Sequence, residues 1–431
     1  MGVITSMSTA ISGLEANGQA LAIISDNIVN ANTTGFKASR GEFQSVLSQD
    51  YGGAGAEIGR GTSLDGVTSL FGQGSISRTD RSTDVAINGN GFFVLKGDNR
   101  GYTYTRDGSF RFDKDGWLTN LGGHKVQAYQ ATADGKVSAK LADIRVPRNS
   151  IPAKSTSHVD IHVNLDARTQ VTGPLDMLRP DETSNFTASV QVFDSIGNAH
   201  PVGVYFNRKS NSEWEWSALT DGSNLQGGKA GIPEALAKGK LTFDEDGKMI
   251  ESEQSVENTS FANGAVANQK LKFDFGEVLD PSGKTPAKAD GTSMYGSKSS
   301  LFRNGQDGWA AGYLTDTLID EDGAISGVYT NGQNRLLGQL ALARFDASEK
   351  LTKVGENQFR ETVGSGQAFV GRPNENGRGT VATRSLEASN VDIAKEFVQM
   401  IKTQRGFQAS AKSITTANEM LDEVINIRRG A

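Results

Sequence analysis

Apolar residues recur every seven positions at both ends of this chain, while the sequence between those ends alternates with a period of two. Met7, Leu14, Leu21 and Ile28 stand seven apart, with Ile4 and Ile11 three residues before the first two. Ile393, Met400, Phe407, Ile414 and Leu421 repeat that spacing, and Phe397, Ala411 and Ile425 fill most of a second row. A seven-residue repeat is the 3.5-residue period of a coiled-coil seam, which needs a partner to cover it. The spacing predicts one helix over residues 3–32 and another over 391–427, the latter about 55 Å long at 1.5 Å per residue. Asn30, Asn32 and Gly35 are expected to stop the first. Ser389 or Asn390 is expected to cap the second, with Arg428 and Arg429 at the negative end of its dipole. A stripe of this kind can also dock a helix onto its own protein. Pairing with each other, however, buries only one face of each helix. Small polar residues on the remaining faces, such as Ser410, Ser413, Thr415 and Thr416, would suit close packing against neighbouring copies. Ends that cannot bury themselves alone are then expected to order on assembly.

Between the ends, Phe186, Ala188, Val190 and Val192 alternate with polar residues, as do Trp214 and Trp216, Leu271, Phe273 and Phe275, and Tyr102 and Tyr104. Period two predicts half-buried antiparallel strands. Glycine supports this. It makes up 51 of 431 residues without a three-residue period, against an ordinary share of ~7%. Seven Asn-Gly and nine Asp-Gly dipeptides supply the positive-φ turns that join such strands. Residues 50–62 read as a glycine-rich connector and residues 281–308 as a second loose stretch. The expected fold is mainly β with α-helical termini that pair as a coiled coil around antiparallel β domains.

Most chemistry is excluded by what is missing. No cysteine occurs, which rules out disulfides, thiolate metal sites and a cysteine nucleophile. A formal charge of −6 argues against a nucleic-acid partner. No apolar run reaches 18 residues, so no membrane-spanning helix and no membrane insertion are expected. The first Lys or Arg is Lys37, so no basic segment of a cleaved secretion signal is present. Met1-Gly2 through Ser6 fits a myristoylation pattern but has no second membrane signal beside it. His158, Asp160 and His162 share one face of an expected strand, where they could chelate a metal or simply be solvated. Three Asp-x-Asp-Gly runs, at 113–116, 244–247 and 320–323, lack the full calcium-loop pattern and read as tight turns. Nucleotide-loop and nucleophile-elbow motifs are absent. No catalytic, cofactor or metal residue is assigned, and no enzyme is expected.

Three ordered stretches carry a resemblance. The first runs from Gly13-Leu14 through Ser25-Asp26-Asn27-Ile28-Val29-Asn30-Ala31-Asn32-Thr33-Thr34-Gly35-Phe36-Lys37. The second is Asn90-Gly91-Phe92-Phe93-Val94 with Tyr104-Thr105-Arg106 and Gly108-Ser109-Phe110. The third is Leu386-Glu387-Ala388-Ser389-Asn390-Val391-Asp392, followed by Gln404-Arg405-Gly406-Phe407-Gln408-Ala409 and Met420-Leu421. Together they resemble the bacterial flagellar rod and hook axial proteins over about residues 1–150 and 309–427. Asn27, Asn30, Asn32, Thr33, Gly35, Phe36, Ser389, Asn390, Val391, Gln404 and Arg405 are the motif positions. Within that family the rod members are short, and an outer β domain inserted into the inner one marks the hook type. Arg148 and Trp309 stand about 160 residues apart, which fits the hook type over a distal rod subunit.

The resemblance implies a helical-core N-terminus (1–32), a connecting segment (33–80), an inner β domain in two parts (81–149 and 309–384), an inserted outer β domain (150–308) and a C-terminal core helix (385–431). It implies a curved tubular homopolymer outside the cell that acts as a flexible joint transmitting torque. Export would proceed through the flagellar apparatus without a cleaved signal. The expected partners are the chain itself, the distal rod, the hook–filament junction protein, the hook cap and the export apparatus.

Overall fold

The computed structural model describes residues 2–46, 49–50, 57–97, 101–132, 135–146, 150–256, 259–278 and 291–429. Residues 51–56 of the expected connector, 281–290 of the loose stretch, the end 430–431 and the side chains of Arg428 and Arg429 lie outside this description. The chain divides into two compact units. One comprises Met1–Arg148, Thr315–Val328 and Asn334–Ala431; the other comprises Asn149–Leu314 and Tyr329–Gln333.

The first unit opens with the helix Gly2–Val29 and closes with the helix Ile393–Arg429. The closing helix starts where Asp392 Oδ1 accepts hydrogen bonds from the Ala394 and Lys395 N–H groups at 3.0 and 3.2 Å. Asp392 is therefore the cap, in place of Ser389 or Asn390. Within the segment read as a connector, strands Ser39–Ser45 and Thr62–Ser69 pair antiparallel, with a bulge between Glu42 and Phe43.

Among the described residues, a thirteen-stranded sheet forms the β body of this unit. Its strand Phe92–Lys96 is buried on both faces. Phe93 and Leu95 enter a core with Ile87, Phe110, Leu118 and Val126, while Phe92 and Val94 enter another with Tyr104, Phe345 and Phe359. The expected alternation fails at Tyr102–Thr105, where Tyr102 is exposed while Thr103, Tyr104 and Thr105 are all buried. This strand lies between Phe92–Lys96 and Gln358–Arg360. There Thr103 Oγ1 donates to Gln358 Oε1 at 2.7 Å, and Thr105 Oγ1 donates to the Asn357 carbonyl at 2.8 Å. A hydroxyl with a partner can be buried at little cost, so polarity alone misassigns the faces.

The second unit holds a five-stranded antiparallel sheet in the order Phe186–Phe193, Ala199–Arg208, Glu213–Asp221, Pro233–Phe243 and Met249–Val256. A three-stranded sheet of Lys272–Asp274, His158–Asn164 and Ser300–Gln306 contributes to the same core. Here alternation holds: Ala188, Val190 and Val192 are buried while Thr187, Ser189 and Gln191 are exposed. Trp214 and Trp216 point inward, and the Trp216 ring lies 5.3 Å from Phe273 and 4.8 Å from Phe275.

All three Asp-x-Asp-Gly runs are tight turns. Asp113, Asp244 and Asp320 each spend a carboxylate oxygen on a backbone N–H four residues on, at Trp117, Lys248 and Ala324. The hairpin turn after Phe193 does the same inside the second unit. Asp194 Oδ1 accepts from the N–H groups of Ile196, Gly197 and Asn198, and Oδ2 from the Asn198 amide and His200 Nε2.

Burial alone would raise the Asp194 pKa, but the hydrogen bonds from His200, Asn198 and Ile196 hold it down at about 2. The folded value lies below that of the unfolded chain. Its stabilisation is therefore present above pH 4 and lost as pH falls toward 2. Acid titration of the wild type should lose about 2 kcal/mol of second-unit stability across that window. Asp194→Asn should remove this acid limb when stability is followed by urea unfolding with tryptophan fluorescence. An unchanged acid limb would show that other carboxylates control it.

Candidate functional site: the terminal helix pair and the motif junction

The two long helices pair within one chain. Asn27 Nδ2 donates to Glu396 Oε1 at 3.3 Å. A Cβ on Gly406 would lie 2.9 Å from Asn17 Oδ1, and one on Gly13 would lie 3.2 Å from Ser410 Oγ. Numbering rises on one helix as it falls on the other, so the pair is antiparallel. The residues at closest approach are small, and this lets the two backbones come near. Ala16, Ile24 and Asn27 on the first helix are buried, as are Thr403 and Ala417 on the second.

This geometry divides the expected second seam row within one chain. On the closing helix the inward residues are Met400, Thr403, Phe407, Ser410, Ile414, Ala417 and Leu421. The second row, Thr403, Ser410 and Ala417, follows the first by three positions and is small. Of the expected row of Phe397, Ala411 and Ile425, Ala411 is half-buried like Met400 and Phe407, while Phe397 and Ile425 are 49% and 51% exposed. Met7, Leu14, Leu21 and Ile28 are half-buried. Ile4, Ile11 and Ile393 are exposed. Val29, Val398, Ile401 and Met420, which the heptad count did not single out, are exposed as well. The pair thus spends its small residues and one apolar row on itself and leaves other large apolar side chains facing outward. Gln404 and Arg405 also face solvent.

Where the helices meet the β body, the motif residues form a buried polar junction. Gly35 adopts φ +67, and a Cβ there would lie 2.5 Å from the Asp107 backbone nitrogen, so only glycine fits. Its N–H donates to the Glu387 carbonyl at 2.8 Å. The Glu387 side chain is fully buried. One of its oxygens accepts from Lys37 Nζ at 2.6 Å and from the Gly74 N–H at 2.8 Å; the other accepts from Arg106 Nη1 at 3.3 Å. Lys37 also donates to the Gly72 carbonyl, and Arg106 to the Gly89 carbonyl, each at 2.8 Å. Burial pulls the Lys37 ammonium and the Arg106 guanidinium below their ordinary pKa values, and Glu387 works against that in both.

Two asparagines complete the junction. Asn27 exchanges two 2.8 Å bonds with the Ser39 backbone. Asn390 accepts from the Ala38 N–H at 2.8 Å and donates to the Leu70 and Gly72 carbonyls at 2.7 and 3.0 Å. Phe36 is buried beneath Lys353 Nζ, 4.9 Å from its ring centre. Thr33 Oγ1 donates to Asn30 Oδ1, and Ser389 Oγ accepts from the Val391 N–H. Asn32 is exposed. Lys37, Arg106 and Glu387 are the residues sequence reasoning missed as a unit. Their signal was a charged residue set within each of the three motif stretches.

The His158, Asp160 and His162 trio is not what assembles. His158 Nε2 lies 3.1 Å from Asp160 Oδ1 and 3.4 Å from Asp274 Oδ2. The third member is Asp274, brought in by parallel pairing of Asp160 with Asp274, and all three are half-exposed. Among the described residues, no helix is long and apolar enough to cross a membrane.

Four family models match in order along the chain: the flagella basal body rod protein at residues 7–37, the flagellar hook protein FlgE/F/G D1 domain at 86–166, the flagellar basal body protein FlaE D2 domain at 164–309, and the flagellar basal body rod FlgEFG protein C-terminal at 382–427. The flagellar hook protein FlgE of Salmonella typhimurium is 33% identical over 98% of this chain and 100% of its own length. That of Treponema pallidum is 31% identical over 99% of this chain and 100% of its own. The chain belongs to the flagellar hook protein family. A solved Helicobacter pylori flagellar hook protein FlgE2 shares the fold, with a TM-score of 0.53 at 15% identity over 72% of this chain and 100% of that one. In this hook-family chain, both helices fall within or beside the first and last matched segments, and the junction draws Lys37 from the first, Arg106 from the second and Glu387 from the last.

Replacing Glu387 by Gln would leave two cations buried with no counter-charge. Such a loss costs about 3–5 kcal/mol. Lys37→Met, which leaves the Arg106–Glu387 pair intact, should cost clearly less. Urea unfolding of both variants checks the order; equal losses would mean that Arg106 alone does not hold the carboxylate.

Proposed function

We propose that this chain is a structural subunit of the bacterial flagellar hook. Copies polymerise into a curved tube outside the cell, and the tube couples rod to filament as a flexible joint. The observation that carries this reading is the set of large apolar side chains left outward on the terminal helix pair: Ile4, Ile11, Ile393, Phe397, Ile401 and Ile425 are all at least 44% exposed. Each such side chain gains about 1.5–3 kcal/mol on full burial, so a neighbouring copy is a strong sink for them. Family membership supports the same reading. The half-buried heptad residues Met7, Leu14, Leu21, Ile28, Met400, Phe407, Ala411, Ile414 and Leu421 then hold each subunit's own pair, and the exposed set joins subunits. The buried motif residues Asn27, Gly35, Phe36 and Asn390 fix the pair to the β body.

The resemblance further supports the distal rod, the hook–filament junction protein, the hook cap and the flagellar export apparatus as partners, with export that removes no signal peptide. In this role the chain catalyses nothing, and the β units supply the outer layers of the tube. Outer contacts that are polar and individually weak would let neighbours shift as the tube bends.

Phe397→Ser combined with Ile401→Ser should leave the monomer's circular dichroism and β-body stability unchanged. Polymer yield, followed by sedimentation and negative-stain imaging, should fall at least tenfold, since two lost burials approach that factor several times over. Curved tubes formed at normal yield by the double variant would remove the helix faces from the assembly surface. Straight rods formed by the wild type would favour a rod subunit.

A further inference from the structure

Seven Asn-Gly dipeptides share one sequence signal, yet the fold treats them differently. Asparagine followed by glycine can lose its side-chain amide, because a glycine nitrogen carries no neighbouring Cβ to block its approach to the asparagine Cγ. Reaction needs that nitrogen free of a hydrogen bond, and it needs a mobile side chain. Asn17 lies inside the helix Gly2–Val29, with Nδ2 held by the Gly13 carbonyl at 2.7 Å. After Asn88, the Gly89 nitrogen donates to Gln73 Oε1 at 3.0 Å. After Asn90, Gly91 is buried. Asn304 lies in a paired strand, and its Nδ2 donates to the Ser189 carbonyl at 2.7 Å. Asn331 donates to the Ala310 carbonyl at 2.8 Å, and the Gly332 nitrogen donates to the Tyr329 carbonyl at 2.9 Å.

Two pairs remain, Asn263-Gly264 and Asn376-Gly377, both exposed. The Asn376 turn is closed by the Arg378 N–H on the Glu375 carbonyl at 3.0 Å. Beside it, Arg344 Nη1 lies 3.1 Å from the place a Cβ on Gly377 would take, which crowds that site. Neither the Asn263 side chain nor the Gly264 nitrogen makes a hydrogen bond among the described residues. A Cβ on Gly264 would meet nothing within 4 Å, so the ring that must form has open space around it.

We propose that Asn263 is a self-modifying site of the folded protein, converting to aspartate and isoaspartate. Hydroxide takes the Gly264 N–H proton. The nitrogen then attacks Asn263 Cγ, forming a C–N bond as the Cγ–Nδ2 bond breaks, and ammonia leaves with a proton from water. Water next opens the five-membered imide at either carbonyl. No oxidation or reduction is involved, and the only co-reactant is water. The product adds a negative charge to a chain already at −6.

The test is incubation of the native full-length protein at mildly alkaline pH, with peptide mass spectrometry and enzymatic isoaspartate labelling over time. Asn263 should react at least about tenfold faster than Asn304 or Asn331, since one held hydrogen bond is worth about that factor. In concentrated urea the seven sites should converge. The Asn263→Gln variant should lose the leading isoaspartate signal while leaving the slower sites unchanged. Asn376, Asn304 or Asn331 reacting first in the folded protein would overturn the proposal. The same rank order persisting in urea would overturn it too, since local sequence and not the fold would then set the rates.

Discussion

One buried carboxylate joins parts of the chain that lie far apart in sequence. Glu387 faces Lys37 and Arg106 with both oxygens, and its own carbonyl accepts the Gly35 N–H. Residues from the segment after the first helix, from the β body and from the strand before the last helix therefore meet at one side chain. Buried ion groups of this kind are poor sources of net stability, because desolvation offsets most of their attraction. What they do well is punish misplacement: a shifted strand or helix would strand a charge away from water. The junction is thus better read as a locator that fixes where the helix pair leaves the body.

With that exit fixed, the two helices have little choice of face. Their closest approach passes through Gly13, Asn17, Gly406 and Ser410, where larger side chains would collide. Close packing of small residues brings the backbones together and rotates Phe397, Ile401 and Ile425 outward. An isolated soluble protein would gain by covering these side chains. A subunit of a polymer gains by leaving them available. The same feature that looks like incomplete folding in one chain becomes the adhesive of the tube in the proposed assembly.

The β units follow simpler rules. In the second unit, Phe186–Phe193 alternates cleanly because one of its faces is turned inward, and Trp214 and Trp216 anchor the core. In the first, Phe92–Lys96 is covered on both sides, so alternation disappears and nearly every residue is buried. Asp113, Asp194, Asp244 and Asp320 show what an acidic residue before a tight turn is for. Its oxygens satisfy backbone N–H groups that the turn would otherwise leave unpaired.

The residues alone established the helical ends, the β middle, the turns at Asp-Gly and Asn-Gly, and a family likeness carried by three short stretches. These are properties of local spacing and of single-residue conformational preference, which need no partner to be read. Tertiary structure decided the rest. It chose Asp392 over Ser389 and Asn390 as the helix cap, because Asn390 was already committed to Ala38, Leu70 and Gly72. It buried Thr403 within the pair and left Phe397 half-exposed, because close backbone approach and not hydrophobicity set the fit within one chain. It put Asp274 where His162 was expected, because a parallel strand supplied a neighbour that no spacing within one strand can encode.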